Sequence, residues 1–173
     1  EKEAAEIARA LFPDGPPQTG TLGMEYYRIV ARTDLGPQAS SATRQAAQSM
    51  YEQTRELEYR LIALEIDHAQ GAPALPLAQA VEQLAGQPGI DPYRLRDVWR
   101  RILERLPASV AAQQRLNAYL RRYPDDTAVA ELLQQAQDPI NLSLAAAEQA
   151  LEADQTAQAE AYLHTVLKQR PQA

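Results

Sequence analysis

Ala112-Gln113-Gln114-Arg115-Leu116-Asn117-Ala118-Tyr119-Leu120-Arg121-Arg122-Tyr123-Pro124 returns 47 residues later as Ala159-Glu160-Ala161-Tyr162-Leu163-His164-Thr165-Val166-Leu167-Lys168-Gln169-Arg170-Pro171. Both stretches read Ala-x3-Leu-x3-Leu, then a basic residue, two further residues and proline. A weaker echo, Ala80, Leu84 and Pro88, lies 36 residues before the first. Residues four apart share one face of an α-helix. A small alanine on that face lets a neighbouring helix lie close, leucines one and two turns on fill the groove between them, and proline forbids continuation.

Outward from these stretches, Pro and Gly punctuate a series of helices. The pattern predicts helices over about 1–12, 21–33, 40–69, 75–86, 92–105, 107–122, 127–137, 139–152 and 156–169. Asp91-Pro92 and Asp138-Pro139 each read as an N-cap followed by proline at the first helical position. Asp125-Asp126-Thr127 supplies a further cap, and Pro107 opens another helix. In the long 40–69 stretch Met50, Leu57, Leu61, Leu64 and His68 form one apolar stripe, too short to claim a coiled-coil seam.

Composition agrees with an all-helical reading. The 173 residues are rich in Ala, Leu, Gln, Glu and Arg, and aromatic residues make up only 6%. Cysteine is absent, which removes disulfides, cysteine-ligated zinc and a thiol nucleophile. Net charge is −6, against a nucleic-acid partner for the whole chain. No apolar run approaches the ~20 residues needed to span a bilayer, so no membrane span is expected in this segment. The chain opens on Glu1-Lys2-Glu3-Ala4-Ala5-Glu6-Ile7-Ala8, already in helical register, and is read as a segment of a longer protein.

The Ala/Leu/Leu/Pro pattern is that of the second helix of a tetratricopeptide repeat, whose usual period is ~34 residues. The expectation is therefore all-α: tetratricopeptide-like helical hairpins stacked as a right-handed superhelical solenoid, with a plain helical bundle as the alternative. Loose repeats fall at about 1–34, 40–88, 92–124 and 126–171, with hinges at 13–20 and 86–92.

Leu11-Phe12, Gly15, Pro17 and Gly20 stand directly before a helix carrying Glu25-Tyr26-Tyr27. With the Trp99 helix, the 112–120 helix and the stretch from Asp138 to Pro171, this combination resembles the periplasmic tetratricopeptide region of the outer-membrane cellulose export protein of the bacterial cellulose synthase complex. Residues 36–75 depart from that family's pattern, being longer and more polar. The resemblance implies a periplasmic, non-enzymatic arm preceding a C-terminal outer-membrane β-barrel. It implies docking of the other cellulose synthase complex subunits or guidance of the cellulose chain, with no catalytic residues and no cofactor. A generic tetratricopeptide adaptor for a peptide or protein partner, and a helical-bundle enzyme with an unrecognised site, are the other classes considered.

Candidate chemistry is sparse. Glu65-x-x-His68 is half of a helical metal motif, but a di-metal bundle needs it twice, with further glutamates. His68 reads instead as a cation at a helix C-terminus, and His164 as a surface residue. Asp125-Asp126 suits capping better than glycoside acid–base work. No Gly-rich phosphate loop and no Gly-x-Ser-x-Gly is present. The informative feature is charge: residues 94–122 hold eight arginines against Asp97 and Glu104, a local +6, so the remainder carries −12. Within or near this block stand Tyr93, Trp99, Tyr119 and Tyr123, Trp99 being read as core. Sugar recognition sets flat aromatic rings beside hydrogen-bonding side chains. The candidate partner or glycan surface is accordingly Tyr26, Tyr27, Tyr93, Arg96, Arg100, Arg101, Tyr119 and Arg122. Tyr26 and Tyr27 are adjacent on a helix, so only one of them faces the core.

Overall fold

The computed structural model describes Ala10, Tyr27 and residues 37–169, with side chains over 41–168 of that stretch. All regular structure among the described residues is α-helical: α1 (Pro37–Thr54), α2 (Leu57–Ala69), α3 (Ala74–Ala85), α4 (Pro92–Leu103), α5 (Val110–Arg122), α6 (Thr127–Gln137), α7 (Pro139–Glu152) and α8 (Thr156–Gln169). Nearly all of the expected helices over 1–12 and 21–33, and the expected hinge at 13–20, lie outside the described residues.

The chain divides into two compact units, Glu1–Ile102 and Leu103–Ala173. In the first, α1 packs on α2 and α2 on α3. In the second, α5 packs on α6, α6 on α7 and α7 on α8. Within each of these two series, helices adjacent in sequence pack on one another. Residues 40–88 contain parts or all of three helices, and 126–171 contain three more.

Capping explains the starts. Asp138 accepts the N–H of Ile140 at 2.8 Å with Pro139 in the first turn of α7. Asp91 accepts the N–H of Tyr93 at 3.0 Å before α4. Asp126 accepts from Val129 N at 3.3 Å as the N-cap of α6. The expected start of α5 at Pro107 is corrected to Val110, because Ser109 supplies the cap and accepts from Ala112 N at 3.0 Å.

A larger correction concerns the single helix expected over 40–69, which is two. Arg55 adopts φ 61°, a left-handed conformation, and the chain turns between α1 and α2. The Arg55 N–H still donates to Tyr51 O at 2.8 Å, and the Thr54 hydroxyl donates to Met50 O at 2.8 Å while accepting from Glu56 N at 3.2 Å. No Pro or Gly marks the turn, and the apolar stripe continues across it, so periodicity does not reveal it.

The core of the first unit gathers Tyr27, Ala47, Met50, Tyr59, Ile62 and Ile66. Trp99 is buried, as its helical stripe with Leu95 and Ile102 predicts. In the second unit Ala112 and Leu116 of the first repeat stretch are buried, as is Ala159 of the other. Leu163 and Leu167 do not fill a groove as the pattern leads one to expect: they are 40% and 54% exposed, since α8 buries only its Ala159 side against α7.

Candidate functional site

The Arg-rich stretch acquires two different faces once α4 is formed. Leu95, Val98, Trp99, Ile102 and Leu103 are buried on one side, and Arg94 is buried with them. Tyr93, Arg96, Asp97 and Arg100 follow one another at helical spacing on the exposed side, with Tyr93 83% exposed.

The buried side is held by an ionic network. On α2, Glu58 and Glu65 are seven residues apart, so their carboxylates share a face; on α4, Arg94 and Arg101 have the same spacing. Arg94 Nη2 lies 2.6 Å from Glu65 Oε2, and Arg94 Nε lies 3.2 Å from Glu58 Oε2. Arg101 Nη2 reaches Glu65 Oε1 at 2.5 Å and Asp97 Oδ2 at 3.1 Å. Glu58 Oε1 also accepts the backbone N–H of Asp91 at 2.9 Å, tying the cap of α4 to α2. Two carboxylates and two guanidiniums balance, which is the condition for taking such groups out of water. Burial works against the charge on Arg101, but its hydrogen bond to Glu65 and the charges of Glu65 and Asp97 outweigh it and raise its pKa above the ordinary arginine value. A second cross-helix pair joins Arg44 of α1 to Asp67 of α2. The hydrogen bond, and then the charge of Asp67, raise the arginine pKa.

The eight candidate surface residues therefore separate. Tyr93, Arg96 and Arg100 come together on the exposed stripe of α4, and Arg122 is exposed on α5 in the other unit. Arg101 is half-buried and committed to Glu65 and Asp97. Tyr27 is in the core, its ring edge-on to Tyr59 at 5.5 Å between centroids. Tyr119 is fully buried and donates its hydroxyl to Asp126 Oδ2 at 2.7 Å. Neither Tyr27 nor Tyr119 offers a ring face to a sugar, because Tyr27 is buried in the apolar cluster and Tyr119 is buried with its hydroxyl bonded to Asp126. Tyr26 lies outside the described residues.

Glu65, half of the metal motif, is occupied by two arginines. His68 sits in the last turn of α2, and His164 is exposed on α8. Among the described residues no three His, Asp or Glu side chains gather as a metal site, and no helix is long and apolar enough to cross a membrane. The second unit contains an open cleft of about 220 Å³ lined by residues that include Leu103, Leu106, Leu116, Leu132, Gln135 and Asn141. Sequence reasoning passed over both this cleft and the Glu58–Glu65 partnership. The seven-residue spacings of Glu58/Glu65 and Arg94/Arg101 were the available signal for the latter.

No family model matches the chain, and no curated protein or solved structure matches it.

Proposed function

We propose that this chain is a non-enzymatic scaffold segment serving the export of bacterial cellulose or a similar exopolysaccharide. In this reading its hairpins are tetratricopeptide-like and stack as a right-handed superhelix in the periplasm, ahead of a C-terminal outer-membrane barrel. The family placement rests on the resemblance carried by Leu11 to Tyr27 and by residues 97–173. The observation that carries a binding role is the two-faced α4. Its inner side is fastened to α2 by the Glu58–Glu65–Arg94–Arg101 network, so Tyr93, Arg96 and Arg100 are presented in a fixed register on the outside. An exposed aromatic beside guanidiniums on a helix already fixed in register suits weak, sliding contact with a glycan or docking of a synthase-complex partner, since the backbone has no ordering cost left to meet on binding.

The test is an amide NMR titration of the chain with soluble cello-oligosaccharides. Saturable shifts at Tyr93, Arg96 and Arg100 support guidance of the polymer. Silence at millimolar sugar, together with capture of a synthase-complex partner that is lost on reversing the charge of Arg96 and Arg100, supports docking. Failure of both removes the export reading and leaves a generic tetratricopeptide adaptor for a peptide or protein partner as the alternative.

A further inference from the structure

We propose that Tyr51, Arg55 and Arg60, at the corner between α1 and α2, form a carboxylate-recognition site for an acidic segment of a partner protein. The site is separate from the exposed face of α4 and does not depend on the export reading. The guanidinium carbons of Arg55 and Arg60 both stand over the Tyr51 ring, each 5.9 Å from its centre. Tyr51 is half-buried and packs against the core cluster of Tyr27, Met50 and Tyr59, so the ring is an anchored platform.

A guanidinium held over an aromatic face keeps its five N–H donors along its edge, in the plane that matches a carboxylate. Neither Arg55 nor Arg60 has an ion pair or a hydrogen-bonded side-chain partner among the described residues, whereas Arg44, Arg94 and Arg101 are all paired. The nearest carboxylates in sequence, Glu52 and Glu56, make no ion pair with either arginine among the described residues. Glu52 accepts from Gln48 at 3.0 Å, and Glu56 makes no ion pair among the described residues while its backbone carbonyl accepts from Tyr59 N. Two positive charges are thus brought to one ring with their donors unused by the described residues.

The backbone supplies an independent observation. Arg55 has φ 61°, a conformation that glycine adopts freely and that residues with a side chain rarely take. The turn itself is held by backbone groups and the Thr54 hydroxyl, so it needs nothing from the arginine side chain. A long cation stands at a turn where glycine is the less strained residue. Two guanidiniums on one platform call for two neighbouring carboxylates, which a Glu- or Asp-rich peptide provides.

The experiment titrates the isotopically labelled chain with a hexaglutamate peptide, following backbone amides and arginine Nε–H signals. The expected result is saturable, salt-sensitive shifts confined to the α1–α2 corner. Each of Arg55→Gly and Arg60→Gln should weaken binding by about tenfold, the loss of a charged hydrogen-bond partner. Arg55→Gly should melt at the same or a higher temperature, which separates binding from folding, and Arg60→Gln gives the binding answer alone if Arg55→Gly does not fold. Arg121→Gln, removing an exposed arginine of α5, should bind as the parent does. No saturable shift at millimolar peptide, an equal loss in Arg121→Gln, unchanged binding in both corner variants, or inorganic phosphate binding as tightly as the peptide would each overturn the proposal.

Discussion

Arg94 Nη2 and Glu65 Oε2 stand 2.6 Å apart although 29 residues separate them in sequence, and Glu65 is only 1% exposed. Through this contact α4 is keyed to α2, and the opposite face of α4 is thereby turned outward. Removing one partner leaves an uncompensated charge in a place water reaches poorly. Glu65→Ala, which leaves Arg94 with Glu58 alone and Arg101 with Asp97 alone, should cost about 3–5 kcal/mol in urea unfolding. Replacing the quartet together, with leucine at 58 and 65 and methionine at 94 and 101, should be close to neutral or stabilising. A Glu65→Ala chain as stable as the parent would refute the role given to the network.

Asp126 serves the second unit in two ways, accepting the Tyr119 hydroxyl at 2.7 Å and capping α6 at Val129 N. Asp126→Ala should destabilise by about 1–3 kcal/mol, combining a lost cap with a weakened buried hydroxyl. Asp125 is exposed and contributes no such contact, so Asp125→Ala should stay within ~0.5 kcal/mol of the parent. Thermal melts of the two variants side by side decide the point.

Tyr59 is 2% exposed, and burial, followed by the charge of Glu56, raises its pKa above the ordinary tyrosine value. The folded chain thus favours the protonated phenol more than the unfolded chain does. Its contribution is complete below the unfolded pKa of about 10 and is lost as pH rises through the higher folded value. Stability should therefore fall on the alkaline side of about pH 10, and Tyr59→Phe should flatten that limb. Ultraviolet titration of tyrosinate alongside circular dichroism reads both quantities.

Tyr93 is exposed, so Tyr93→Ala should change stability by less than ~0.5 kcal/mol, and both it and Arg100→Glu should abolish whichever partner the α4 face holds. Trp99 lies six residues beyond Tyr93, on the buried side of the helix. Trp99→Ala should cost about 3–5 kcal/mol, and the parent's indole emission should be blue-shifted and unmoved by ligand. A large loss of stability in Tyr93→Ala would instead make that ring structural.

What the amino-acid sequence determined by itself is local. Asp91-Pro92, Asp126 and Asp138-Pro139 specify helix starts because the capping oxygen and the fixed proline φ act within a few residues. The Leu95, Val98, Trp99 and Ile102 stripe specifies a buried face because helical geometry alone aligns it. All-helical structure follows from such signals. What only the tertiary structure decided is where non-local partners fall. Tyr27 and Tyr119 look like Tyr93 in sequence, yet burial by distant residues makes two of them core and leaves the third in solvent. Arg94, Arg96, Arg100 and Arg101 form one basic run in sequence. Which of them are spent on Glu58 and Glu65, and which face outward, depends on how α4 lies on α2. The Arg55 turn is the sharpest instance. A single residue in a left-handed conformation reverses the chain without disturbing the apolar period, so the free energy that selects the break comes from the packing of α1 on α2, which no local pattern encodes.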